Sequence, residues 1–335
     1  GHEVQLLEDN IADQEHYIVW ADHQQTTSAL ERENLLYAAE TYAIVSIPAG
    51  EVQSLVGIGH GIERLFHSPL RMPPNDRPSL APLPRVQVFR EFVSGLVSQV
   101  SEDSLVNNVL TLESFGTRHA ITPQGRAAAV WLETMFRSYG IRDVEIHQWD
   151  DRFPGNVIAT IPGTDPTAGI YIIGGHYDSI VPAGGYAPGA DDNATGTATV
   201  LECARILARH QFHATIRLIG FSAEEIGLVG SAKYARRAAM RGEFITGMIN
   251  VDMLGYRARN DARDLDIIVE PPSDWLRREA FAAQELFVPE LGVVKGKLRS
   301  GTSDHASFLR QGFDAIFLHE DSGHSSPYIL SLIHI

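Results

Sequence analysis

Four short segments of this 335-residue chain gather carboxylates and an imidazole at spacings that suit chemistry. His176-Tyr-Asp178 follows an apolar run and sets its two polar groups two residues apart, so both can point to one side of an extended chain. Gly189-Ala-Asp-Asp-Asn-Ala-Thr-Gly196 is an acidic loop between glycines. Leu218-Ile-Gly-Phe-Ser-Ala-Glu-Glu225 ends an apolar run in paired glutamates, and Ile249-Asn-Val-Asp252 ends another in a carboxylate. Taken singly, each has an ordinary explanation. An Asp opening a helix is usually an N-cap, a Glu pair a solvated turn, and a His after a strand a satisfied loop residue. Four such clusters with no Lys or Arg among them are harder to explain by solvation. Crowded carboxylates repel, and a cation is the usual remedy. One imidazole with several carboxylates suits a mixed nitrogen and oxygen shell around Zn²⁺, with Mn²⁺ or Co²⁺ as substitutes.

These clusters need elements that converge. β-type composition marks Val157–Ile161, Ile170–Ile173, Thr215–Phe221, Ile245–Val251, Ile267–Val269 and Ala315–Leu318. Between them, helical spacing is visible in Gln124–Tyr139, where Ala128, Trp131, Leu132, Met135 and Phe136 share a face and Gly140 supplies a stop. Ala194–Arg209 and Ser231–Arg241 carry the same signal. Strands alternating with helices predict an α/β fold, a mostly parallel mixed sheet with helices on both faces. In such sheets ligands bind outside the carboxyl ends of the strands, where these polar clusters fall.

Upstream the pattern differs. Six prolines in the sixteen residues from Pro69 to Pro84 allow neither a helix nor a central strand. Residues 1–68 are therefore expected to form a small, β-rich N-terminal accessory or pro-region, with 69–85 a Pro-rich linker. Ile44–Ile47 and Val52–Val56 are strand-like, turned by Pro48 and Gly50. With 27 basic against 42 acidic residues the net charge is −15. No basic face for nucleic acid is visible. No apolar run approaches the ~18–20 residues of a membrane span. The single cysteine, Cys203, excludes an internal disulfide and a Cys-based zinc cluster; it lies in an apolar-periodic stretch and is expected to be a structural thiol.

Set in order, His176-Tyr-Asp178, Gly189-Ala-Asp-Asp-Asn-Ala-Thr-Gly196, Ser222-Ala-Glu-Glu-Ile-Gly-Leu-Val-Gly-Ser231, Asn250-Val-Asp-Met253 and Ser303-Asp-His-Ala-Ser-Phe308 resemble the signature of metallopeptidase family 28. This is the family of bacterial leucyl-type zinc aminopeptidases. The resemblance covers about Val86 to Ile329, and Glu113-Ser-Phe-Gly-Thr-Arg-His119 is similar to the family's opening segment. It implies the zinc exopeptidase fold (phosphorylase/hydrolase-like), a peptide or aminoacyl substrate and two Zn²⁺. His176, Asp192 and Asp252 would hold one ion, with Asp192 bridging to a second held by Glu225 and a C-terminal histidine. Glu224 would be the general base, and Asp178 would sit behind His176 and fix its tautomer. Asp304 and His305 would line the site without ligating.

The match departs at Leu330, where the family pattern places its last histidine ligand. Residues 86–329 are accordingly expected to be a catalytic domain cut short at its C-terminus, and 330–335 a non-native tail. His319, His324 and His334 are the candidates to replace the missing ligand. A secreted or periplasmic location is the expectation, its leader lying outside the chain. The alternatives are a family 20 amidohydrolase or carboxypeptidase, a single-zinc acyltransferase of the glutaminyl-cyclase type, and a non-catalytic receptor-like module. Asp-Asn-Ala-Thr-Gly and Ser-Asp-His-x-x-Phe favour family 28 over the first of these. The five acidic and imidazole positions together oppose the last.

Overall fold

The computed structural model describes residues 14–20, 34–38, 42–48, 51–55, 61–65, 89–180, 185–257, 259, 262–297, 302–320 and 326. Among them, an eight-stranded mixed sheet forms the centre. Its strands are β5 (Asp143–His147), β6 (Asn156–Ile161), β7 (Ile170–His176), β8 (Thr215–Phe221), β9 (Ile245–Val251), β10 (Asp264–Val269), β11 (Gly292–Lys295) and β12 (Ala315–His319). They lie in the order β11-β10-β12-β9-β7-β8-β6-β5. β7 runs parallel to both β8 and β9, and β12 parallel to β9, while β6 pairs antiparallel with β8.

Period-two alternation along the strands builds two cores. Val157, Ala159 and Leu218 join Leu132, Phe136, Val200, Leu201 and Ala204 on one face. Ile158, Ile172, Ile219 and Phe221 join Tyr234, Ala235, Ala238 and Phe308 on the other. The α-helices among the described residues are α1 (Arg90–Val97), α2 (Glu102–Ser114), α3 (Pro123–Ser138), α4 (Gly196–Leu207), α5 (Val229–Arg241), α6 (Asp274–Phe287) and α7 (His305–Leu309), and the helical side chains of these two cores come from α3, α4, α5 and α7. α3 starts where sequence chemistry directs: the Thr122 hydroxyl accepts from the Gly125 N–H at 3.0 Å, and Pro123 takes the first helical position. α4, which links β7 to β8, packs on the first face; α5, which links β8 to β9, packs on the second. The chain thus leaves β7 on one side and returns on the other, which makes the carboxyl end of β7 a topological switch point.

A separate antiparallel sheet of β1 (Gln14–Trp20), β2 (Leu35–Ala38), β3 (Tyr42–Pro48) and β4 (Gly61–Leu65) precedes the main one, in the order β2-β3-β1-β4. Tyr17, Val19, Val45, Ile47 and Leu55 form its core. The expected strand Val52–Val56 is corrected here. Val52–Leu55 is a 3-10 turn whose Val52 packs both on this sheet and against the cluster of the larger unit that contains Ala223, Ile226 and Val229. Short apolar runs do not distinguish a strand from a turn that docks one side chain. The Pro-rich segment 69–85 and the tail 330–335 lie outside the described residues. No described helix is long and apolar enough to cross a membrane. Cys203 packs partly buried against the first core, and burial pushes its thiol up to about 11, so it serves packing.

Leu132 is fully buried at the α3–sheet contact. Leu132→Ala should lower unfolding stability by about 2–5 kcal/mol through the cavity it leaves. Urea denaturation checks this, and a change below about 1 kcal/mol would contradict the packing described.

Candidate metal centre

Three adjacent parallel strands deliver the site. His176 is the last residue of β7, Glu224 and Glu225 follow β8, and Asp252 follows β9. Asp192 arrives from the turn that precedes α4. His176 is buried, and its Nε2 lies 3.2 Å from Asp192 Oδ1, 3.4 Å from Asp252 Oδ1 and 3.9 Å from Glu224 Oε2. Two overlapping sets of ligand atoms lie within 4.8 Å of one another: His176, Asp192 and Glu225, and His176, Glu224 and Asp252. His176 Nε2, Glu225 Oε1 and Asp252 Oδ1 have no hydrogen-bond partner among the described residues. Such a set of buried, unpartnered lone pairs fits a cation, and its nitrogen and carboxylate chemistry fits zinc.

Local hydrogen bonds fix each of these groups. The Nδ1 of His176 faces the Asp178 backbone carbonyl at 3.2 Å, while the Asp178 carboxylate stands further off at 3.6 Å. Donation to that carbonyl would put the proton on Nδ1 and turn the Nε2 lone pair to the crevice. The Asp178 carboxylate instead accepts the backbone N–H groups of Glu224 (3.1 Å) and Glu225 (3.3 Å), which ties the glutamate pair to the His176 loop. The glutamate loop is sharply turned: Ala223 and Leu228 both have left-handed φ, 59° and 57°. Asn193 holds the Asp192 turn to the end of β9, donating to the Val251 carbonyl at 3.1 Å and accepting from the N–H groups of Gly196 and Met253. A Cβ at Gly196 would lie 2.4 Å from the Val251 carbonyl oxygen, so only glycine permits that approach. Asp191 joins neither ligand set and accepts from the Gly255 N–H at 3.0 Å.

Ser303 is the contact that the sequence pattern leaves unassigned. Its hydroxyl donates to Asp252 Oδ2 at 2.6 Å and accepts from the Asn250 amide at 2.8 Å, which leaves Oδ1 facing His176. Its neighbours Asp304 and His305 are buried, and neither joins the two ligand sets; His305 stacks on Phe317 at 5.1 Å. Of the candidates for a further imidazole, His319 is buried at the end of β12 outside both sets. His324, His334 and Leu330 lie outside the described residues.

The electrostatics follow from crowding. Burial, reinforced by neighbouring carboxylates, pushes the Glu224 and Glu225 carboxyls well above the usual range and raises that of Asp192. Burial opposes ionisation of Asp252 too, but His176 and the Ser303 hydroxyl outweigh it and its carboxyl is held low. For His176, burial is overcome by Asp252 and Glu224, which favour the imidazolium.

The family model described as Peptidase family M28 matches residues 156–328. A probable leucine aminopeptidase of Arthroderma otae is 29% identical over 263 residues, covering 73% of this chain and 69% of its own length. A probable zinc metalloprotease of Pyrenophora teres is 34% identical over 204 residues, covering 52% of this chain and 43% of the relative. In fold, the chain is similar to the LapA aminopeptidase of Legionella pneumophila, with a TM-score of 0.75 at 21% identity, covering 95% of this chain and 90% of that one. The family model spans more than half of the chain and includes the ends of all three site-bearing strands, so the chain belongs to Peptidase family M28.

Proposed function

We propose that this chain is a zinc-dependent aminopeptidase that binds two zinc ions and releases N-terminal residues from peptides. The observation that carries the reading is the buried Nε2 of His176, unpartnered among the described residues and facing three carboxylates at 3.2–3.9 Å. Drawing on both sets, His176, Asp192 and Asp252 would hold one ion and Asp192 with Glu225 would contribute to a second, with Glu224 left unligated. Bound zinc supplies a Lewis acid that polarises the scissile carbonyl and lowers the pKa of water.

The remaining steps belong to the chain. Glu224 accepts the proton of the attacking water and returns it to the departing amine. Asp178, which accepts the backbone N–H groups of both glutamates, fixes the loop from which Glu224 would act as base and Glu225 would offer its carboxylate to the ion. Ser303 leaves Asp252 one oxygen for ligation by engaging the other. The aminopeptidase names of the relatives and the family membership support the exopeptidase form of this chemistry.

Glu224→Gln should cut turnover of an aminoacyl-anilide by about 10²–10⁴-fold with zinc content unchanged, because the amide keeps the shape of the base and cannot take a proton. Glu225→Gln should lower zinc content. Metal analysis beside initial rates decides, and equal zinc loss in both variants would contradict the division of roles.

The pH dependence of the zinc-free protein is a second check. Burial pushes the Asp304 carboxyl up to about 7 and, helped by Asp191, the Glu320 carboxyl up to about 9. Between about pH 6.5 and 9 the folded state therefore binds more protons than the unfolded one, so stability falls as pH rises. His147 and His305, held down to about 4 by burial, act in the opposite sense, but only below about pH 6.5. Thermal melts of the metal-free chain should show the midpoint falling from pH 6.5 to 9; a rising midpoint would contradict the burial of these carboxyls.

A further inference from the structure

Arg118 is fully buried, and the mechanism above does not use it. Its guanidinium spends its donors on main-chain carbonyls from three separate segments. Nε donates to the Tyr177 carbonyl at 2.8 Å, Nη1 to those of Leu112 (3.1 Å) and Pro188, and Nη2 to that of Gly189 at 2.8 Å. Its backbone N–H donates to Ser179 Oγ at 2.9 Å, and that hydroxyl donates onward to the Ala187 carbonyl at 2.7 Å. Burying a guanidinium is costly, and burial pushes this one down to about 10 against the pull of Asp178, Asp192 and Glu225.

The acceptors explain why the cost is borne. Tyr177 immediately follows His176, and Pro188 and Gly189 immediately precede the Ala190–Thr195 turn that carries Asp192. One planar fork therefore joins the two loops whose side chains meet 3.2 Å apart at His176 Nε2 and Asp192 Oδ1. The contact is close-fitting. A Cβ at Gly189 would stand 2.6 Å from Ser179 Cβ and 3.0 Å from Arg118 Nη2, in a backbone already left-handed at φ 52°. A lysine could keep the charge, but its three donors on a single nitrogen cannot span these carbonyls.

We infer that Arg118 is a positioning residue of the cation centre, and that with Ser179 it staples the His176 loop to the Asp192 turn so that both ligands are in place when the ion binds. This rests on the assignment of His176 and Asp192 as zinc ligands. The test measures zinc affinity by chelator competition on the purified full chain, its Arg118→Lys and Ser179→Ala variants, and His176→Ala as a control. Circular dichroism and thermal melts of the metal-free forms run beside it, with the visible spectrum of the cobalt-substituted forms. Arg118→Lys, folded by circular dichroism, should bind zinc about 10–100-fold more weakly, the loss typical of groups that orient ligands, with altered cobalt bands. Ser179→Ala should shift both in the same direction by less. Reduced melting temperature with wild-type zinc affinity and cobalt bands would overturn the inference and leave Arg118 a purely structural group. Should Arg118→Lys fail to fold, wild-type affinity in Ser179→Ala would overturn it equally. Absence of zinc binding by the unsubstituted chain would instead overturn the ligand assignment itself, and the inference with it.

Discussion

Several carboxylates share one buried crevice with a single imidazole, and the rest of the site is arranged to hold those like charges together. Asp192 and Asp252 approach the same Nε2 to 3.2 and 3.4 Å, where mutual repulsion and lost hydration both oppose ionisation. The fold counters this with fixed donors. Backbone N–H groups of the glutamate loop occupy Asp178, the Ser303 hydroxyl occupies one oxygen of Asp252, and the Arg118 charge lies buried beneath the two loops. What remains unpaired points inward, where a divalent ion would supply the missing charge.

The sheet makes that arrangement possible. Because β8 and β9 flank β7 and run parallel to it, their polar termini reach the same edge without a long loop. The smaller N-terminal sheet bears on the same region from outside. The Arg64 backbone N–H of β4 donates to the Gly227 carbonyl at 3.3 Å, and Val52 packs against the cluster that contains Ile226 and Val229. Gly227, two residues beyond Glu225, has φ 108° and so admits the Arg64 backbone at a distance no side chain would allow. The two sheets therefore meet at the loop that carries the proposed base.

Much of this was legible in the residues, for physical reasons. β6, β7, β8 and β9 are nearly continuous apolar runs because both of their faces are covered, and such runs are conspicuous. The carboxylates stood out because acidic residues are rarely placed beside buried strands without a partner. Edge strands were harder. Asp143–His147 and Gly292–Lys295 are half-exposed and mixed in composition, so they carry no comparable run. α2 has few buried side chains, and its start is marked chiefly by Ser101 accepting from the Ser104 N–H. Arg118 and Ser303 lay within segments that resembled the family, yet their roles depend on carbonyls and carboxylates more than fifty residues away, a relation that no local spacing expresses. Asp178 is expected behind the imidazole; its carbonyl lies 3.2 Å and its carboxylate 3.6 Å from His176 Nδ1, and the carboxylate also accepts from the glutamate loop, a second contact that local spacing does not express.

The most direct test of the metal centre is anomalous diffraction at the zinc edge from crystals of the chain grown with zinc. An anomalous peak is expected about 2 Å from His176 Nε2 and within reach of Asp192 and Asp252, with a second beside Glu225. Peaks confined to other residues, with His176 Nε2 and the Asp252 carboxylate left unligated in the presence of bound zinc, would contradict it.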